Sequence, residues 1–577
     1  MPLPDPPSPR SGPRCPRPAS HPRSAARVAG RGSATLAAGR AVGTLVVAAI
    51  VGCAAPGSST STSTSTSAPA PAPGVLGAPG CDAFAETLDD TVRRAGTGDA
   101  QASRVAGARW LRTDRFAASF ADEALAPDAR RAWLEQLREH DAGARRVEVA
   151  NLPPDARAAA APAARAVLAA VGLLSPTRPQ TAPDDAASAD ASAVASAPTA
   201  TATATATVAA AVAHCGRAEI DAIDGDADAL ERLRRAVRVP DDYVAWQRTL
   251  GLYPIAVLPF GAGVRREEAA TSAAFARHAG RVAEGTTVFA PQRAAAPAGD
   301  GPPPSIADRD ALDVPRLDPV SRTALLAAHA PLWALEGDGD DDRFGALVLD
   351  DDGRARVDVA RPVVHARVAF TRWEGRVRVQ LVYAAWFPRR APAGVLDPLA
   401  GHLDGVLLRL TLDEAGRVAM VDSIHACGCW HLFVPVGPWR TRPAPVPGDE
   451  WALVPARLDA VPPGARVRVR LAARTHAVEG LDVATSVPPT AAGYRLVDDD
   501  GLRTLPHPRG GTRSLYDARG LVPGTERGER WLFWPMGVAE PGAMRQWGRH
   551  ATAFVGRRHF DEADLLERRF ERDIALR

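Results

Sequence analysis

From Asp422 to His431 the chain reads Asp-Ser-Ile-His-Ala-Cys-Gly-Cys-Trp-His, which sets His425, Cys427, Cys429 and His431 at every second position. No other stretch gathers as many side chains able to bind a metal or exchange electrons. In an extended strand, alternation places all four on one face. Seven extended residues span roughly 20 Å, however, whereas tetrahedral zinc needs its donors within about 2.0–2.3 Å. Gly428 offers a way round this, because glycine accepts a positive φ and folds the Cys-Gly-Cys segment back on itself. Two thiolates and two imidazoles then suit zinc, while monovalent copper favours the thiolates. Three other readings stay open. Cys427 and Cys429 form a disulfide; or they are buried thiols packed with the rings beside Trp430 and Phe433; or His425 and one cysteine are a nucleophile pair activated by Asp422.

Further residues with chemical potential lie to either side. Asp397, His402 and Asp404 would supply a ligand or a general base, although Asp-Pro and Asp-Gly are ordinary turn dipeptides and the turn is the expected role. Towards the C-terminus Arg545, Arg549, His550, Arg557, Arg558 and His559 alternate with aromatic residues. Arg545, Arg549, Arg557 and Arg558 would bind an anionic group; the expected role is to cover apolar rings and pair with Asp or Glu. Asp224-Gly-Asp-Ala-Asp228 has its glycine misplaced for a calcium loop and reads as a helix start. The acidic run 337–343 reads as an exposed turn.

The elements that position these residues suggest an α+β protein with an Ala-rich helical half and an antiparallel β-rich half. Residues 81–290 form the helical domain: Asp82–Arg94, Ala102–Leu111, Asp128–His140 and the part of 158–174 after Pro162 carry apolar residues at helical spacing. A low-complexity insert at 175–207, ending in an Ala-Thr repeat, is expected to be disordered. Cys81 and Cys215 adjoin helical segments on either side of it, and a disulfide between them would clasp the domain. Tyr253–Phe260 reads as a short strand or extended crossing, and Pro- and Gly-rich 291–319 as a connection. In residues 320–577 the periodicity shifts towards two, with hairpins at Glu374-Gly375 and around Asp413–Gly416 and a further strand near 465–473, giving a sheet or open barrel. Trp531–Met536 reads as core and Asp561–Arg572 as a terminal helix.

The chain has 577 residues and a net charge of +2, which does not suggest a nucleic-acid-binding surface. It contains no lysine, so all its basic charge is arginine and arginine clusters alone signify little. Residues 1–52 read as a leader. The run Ala41–Gly52 (AVGTLVVAAIVG) is too short to span a bilayer and fits the apolar core of a signal peptide. The first forty residues are long and Pro-rich for such a leader, which points to a downstream start such as Val28. Ile50-Val-Gly-Cys53 resembles a bacterial lipobox, with Cys53 as the acylated residue that binds membrane lipid. Ala54, not Asp, follows it, and the resemblance to Gram-negative lipoproteins then implies the outer membrane, facing the periplasm. Residues 53–80 are Ser/Thr-rich, then Pro/Ala-rich, and read as a tether.

The segments at 109–120, 383–405, 422–435 and 542–565 resemble a family of uncharacterised proteobacterial lipoproteins. That resemblance implies an exported lipoprotein and carries no activity, cofactor or catalytic residue with it. The chain contains no HExxH, GxSxG, phosphate-loop or dinucleotide fingerprint. The sequence therefore points to an envelope lipoprotein with a zinc or copper site at His425–His431. The alternatives are a scaffold stapled by a Cys427–Cys429 disulfide, and a metal- or thiol-dependent enzyme.

Overall fold

Helix α1 (Cys81–Ala95) shows how the helical half is built. Phe84, Ala85, Leu88 and Val92 recur every three or four residues and are buried, and Gly96 ends the helix in the left-handed region at φ 66°. It packs with α2 (Pro127–Ala150), α3 (Pro154–Ala170) and α4 (Ala200–Asp224), where Ala160, Ala164 and Ala211 are buried among Trp110, Val167 and Val212. Cys81 and Cys215 are both buried and joined as a disulfide, with Cα atoms 5.6 Å apart. The computed structural model describes residues 78–173, 200–278, 285–292, 305–337, 339–395 and 397–573. The expected leader, the lipidation at Cys53 and most of the tether lie outside them.

Three elements of this half differ from the expectation. Ala102–Leu111 is not helical but an extended and turning segment, in which Ser103–Arg104 pairs with Arg112–Thr113. Residues 200–207, assigned to the disordered insert, are the first turns of α4. Alanine is the strongest helix former, Ala204 and Val208 are buried at i, i+4, and the Thr207 hydroxyl donates to the Thr203 carbonyl at 2.8 Å. The rest of that insert, 175–199, lies outside the described residues. Tyr253–Phe260 is not a strand but the start of α5 (Tyr253–His278). Pro254 is tolerated there because a first-turn N–H has no helical partner.

The β-rich half is a ten-stranded sheet. In chain order its strands are β1 (Thr287–Pro291), β2 (Leu332–Leu335), β3 (Val363–Trp373), β4 (Arg376–Arg390), β5 (Gly401–Leu412), β6 (Val418–His425), β7 (Leu432–Pro435), β8 (Arg466–Leu471), β9 (Val478–Ala484) and β10 (Ala492–Asp498). Their spatial order is β7-β6-β5-β4-β3-β10-β1-β2-β8-β9. From β3 to β7 the sheet is an antiparallel meander with hairpins where the sequence places them; Glu374 and Gly375 take φ 56° and 68°, as a two-residue turn requires.

The sheet as a whole is mixed, not antiparallel: β10 runs parallel to both β3 and β1, and β8 runs parallel to β2. Alternation announces a strand but says nothing of its partner's direction. β4 and β5 are buried on both faces. One face joins a core that includes Trp333, Phe344 and Tyr494. The other is covered by the largely irregular segment 502–560 through Leu502, Leu515, Val522, Met544 and Phe560.

The expected terminal helix is short. Leu565–Arg569 is helical, and Phe570–Arg572 then pairs as a strand with Trp439–Thr441, because Phe570 is drawn into the core beside Phe433 and Trp439. Helical and β-rich halves interlock: Arg503 pairs with Asp99 at 2.7 Å, Arg115 with Asp561 at 3.0 Å, and Ile306 and Leu312 from the expected connection are buried.

Candidate functional site

β6 delivers the His/Cys segment. All eight of its residues are buried, and its last, His425, pairs with Val406 of β5. The chain then turns sharply. The Gly428 N–H donates to the His425 carbonyl at 2.7 Å, and the His425 N–H to the Cys429 carbonyl at 2.9 Å. Gly428 has φ 94°, and a Cβ there would lie 2.4 Å from the Ala551 carbonyl oxygen. Position and neighbour both demand glycine.

The turn brings the two cysteines together and gives the two histidines different partners. His431 donates from Nε2 to Asp422 at 3.0 Å, and Asp422 is gripped by Arg409 at 3.0 and 2.5 Å. Burial, with Arg558 nearby, lowers the His431 pKa to about 3 and keeps the ring neutral. His425 instead lies 3.5 Å from Asp404, too long for a good hydrogen bond, and neither ring nitrogen has a partner in hydrogen-bonding geometry. The carboxylate beside His425 is thus Asp404, not Asp422. Among the described residues, no group of three or more His, Cys, Asp or Glu side chains is placed to hold a metal ion.

Cys427 and Cys429 are free thiols, the first buried and the second partly exposed. A hydrogen bond from Cys429 stabilises the Cys427 thiolate and lowers its pKa against the opposing effect of burial. The same contact raises the Cys429 pKa well above the usual thiol range, so once one proton has left, the pair shares the one that remains. Arg527 and Glu529 act on both sulfurs. Burial, only partly offset by Arg527 and Arg390, lifts the Glu529 carboxyl to about 7.

Asp404 anchors this surround, fully buried in β5. It accepts from His476 Nδ1 at 2.8 Å and from Arg527 at 3.2 Å. Burial opposes its charge, but Arg527, His425 and His476 outweigh it and hold the carboxyl well below the usual range. The turn expected at Asp404 is therefore a strand, and the aspartate is an internal counter-ion. Asp397 does serve a turn, accepting from the Leu399 and Ala393 backbones, and His402 contacts the Ala355 carbonyl. Arg527, Glu529 and His476 carried no signal in the sequence, since each stands alone far from the motif.

The four tail arginines are occupied by the protein itself. Arg545 is buried and donates to the carbonyls of Cys427, Ala539 and Glu540, so it buttresses the turn. Arg549 donates to the Ala100 carbonyl, Arg557 pairs with Asp241, and Arg558 donates to Thr552, Glu450 and Trp451. Behind the turn, Arg545 also lines an internal cavity with His365, Arg367, Asp499, Tyr516 and His550, roomy enough for about one water at roughly 10 Å³. Neither His365 nor His550 makes a ring hydrogen bond of good geometry, although the Asp498 backbone lies near the first and that of Ala426 near the second. Burial lowers their pKa values to about 4 and about 3.

Comparison with known proteins places no relative beside these geometries: no family model, curated protein or solved structure matches the chain.

Proposed function

We propose that this chain is a lipid-anchored envelope protein, held through Cys53 at the outer membrane and facing the periplasm, whose Cys427-Gly428-Cys429 turn works as a dithiol centre. The apolar run before Cys53, the resemblance to proteobacterial lipoproteins and the Cys81–Cys215 pair, suited to an oxidising compartment, support the address. One observation carries the chemistry: two free thiols share a hydrogen bond across a glycine turn, one of them partly exposed, beside a buried carboxyl that titrates near 7.

In that reading the shared proton moves to Cys427, and the partly exposed Cys429, as the thiolate, attacks a partner disulfide and releases one partner thiolate. Cys427 then displaces the second, leaving a Cys427–Cys429 disulfide. The pair loses two electrons and two protons, and the partner gains both. Glu529 is placed to take up a proton as the thiols ionise. The same two thiolates would also bind monovalent copper, whereas zinc would need two further donors.

The test is thiol alkylation with peptide mapping across graded glutathione buffers, together with metal analysis, on chain exported to an oxidising compartment and purified without chelators. A two-electron transition at Cys427 and Cys429, lost in Cys427→Ser, is the expected result. About one copper or zinc per chain, absent from that variant, replaces the redox reading with a metal centre. Thiols that neither oxidise nor hold metal leave a structural pair.

A further inference from the structure

Two apolar segments, 246–258 and 531–532, the second of them part of a run that the sequence assigns to the core, lie on the surface. Trp246 is 60 % exposed, Ile255 66 %, Leu258 69 % and Trp531 71 %, with Leu250 and Leu252 equally open between them. The two segments lie against each other. A Cβ on Gly251 would sit 2.6 Å from Pro535, Phe260 meets Phe533 edge-on at 5.4 Å, and Arg248 donates to the Met536 carbonyl at 2.8 Å. Exposed apolar residues are ordinary when scattered, but a contiguous patch marks an interaction surface.

We infer that this patch docks the folded body onto a lipid bilayer. Its composition fits that partner. From Thr249 to Val264 and from Trp531 to Ala539 there is no charged residue, two tryptophans stand at the patch, and Arg248, Arg265, Arg266 and Arg530 fringe it. Tryptophan favours the headgroup level, and arginine pairs with anionic headgroups while its stem lies on apolar surface. Asp241 and Asp242, the nearest acidic residues before it, are paired with Arg557 and Arg115, while Glu267 and Glu268 follow Arg266 and Glu540 lies 3.9 Å from Arg530, so the fringe is of mixed charge with arginines at its edge.

Among the described residues no helix is long and apolar enough to cross a membrane, so the mode is shallow, about 5–10 Å into the headgroup boundary. The chain outside the structure favours the same occupant. Resting on the proposed acylation of Cys53, residues 53–78 reach at most about 90 Å even when extended, which confines the body to the vicinity of its own membrane.

The full chain is reconstituted in phosphatidylethanolamine–phosphatidylglycerol vesicles with brominated acyl chains. Quenching of tryptophan fluorescence, largely abolished by Trp246→Phe/Trp531→Phe, is expected. Amides of residues 246–258 and 531–533 should exchange at least about tenfold more slowly than in Trp246→Glu/Leu250→Glu/Trp531→Glu, as burial of these side chains requires. Because the three sites are exposed, the glutamate variant should melt with the wild type. Equal exchange in both proteins overturns the inference. So does protection that rises with the protein-to-lipid ratio, which would assign the patch to a second copy of this chain. Intact mass of the same sample reports acylation separately: an unacylated chain that is still quenched ends the anchor reading and leaves the docking surface standing.

Discussion

At Gly428 conformation and contact are fixed together, since both φ 94° and the Ala551 carbonyl exclude a side chain. Gly428→Ala should destabilise the protein by about 1–3 kcal/mol in denaturant unfolding and raise the rate at which Cys427 is alkylated as the turn opens. Asp404 is the second such position: Asp404→Ala leaves Arg527 buried without its carboxylate and should cost about 3–5 kcal/mol. Glu529 above pH 7 carries a negative charge that opposes the Cys427 thiolate. Glu529→Gln should therefore speed alkylation of the pair at pH 8, and an unchanged rate would remove Glu529 from the site. Of these residues only the motif itself was legible. The spacing of His425, Cys427, Cys429 and His431 exposed a candidate site, but strict alternation holds only in a strand. The turn at Gly428 splits the four into a thiol pair and two histidines with separate carboxylates.

At the scale of elements, the hairpin β3–β4 and the buried faces of α1 and α2 could be read because each rests on local pattern. What was not legible is non-local. β10 becomes a parallel strand only because β3 and β1 flank it, and Phe570 leaves a helix only because Phe433 and Trp439 offer a core. α2 also buries Asp141, Arg145 and Glu148, charges that local pattern gives no reason to bury and to which Arg112 and Asp89 supply partners at 2.8–3.1 Å. The Cys81–Cys215 bridge joins α1 to α4 across 134 residues of chain. Replacing both cysteines with alanine should lower stability by about 2–5 kcal/mol in urea unfolding. A smaller loss would mean that the helices hold that contact without it.

The whole molecule has a pH response set by groups buried in opposite states. His365, His431 and His550 titrate near 4, 3 and 3, below the ordinary 6.5, so the unfolded chain takes up protons that the folded one refuses. Their contribution is lost as pH falls below 6.5. Glu219 and Glu529, near 7 in place of 4.5, act in reverse, and their contribution is lost as pH rises from 4.5 through 7. The slopes oppose each other between 4.5 and 6.5, while below 4.5 the histidine slope acts without that opposition. The histidines outnumber the glutamates, so the melting temperature should fall gently with pH across the first interval and more steeply from pH 4.5 to 3.5; a level curve there would contradict the burial of neutral imidazoles.

β10 has a consequence in time as well as in space. It lies between the meander β3–β7 and the group β1, β2, β8 and β9, so until residues 492–498 arrive the sheet consists of two pieces, each with a bare edge. Pairings between residues so distant in sequence form slowly, and bare edges invite other chains. A chain still being synthesised would carry both edges until β10 emerges. Its yield would then depend on how well those edges are shielded during that interval.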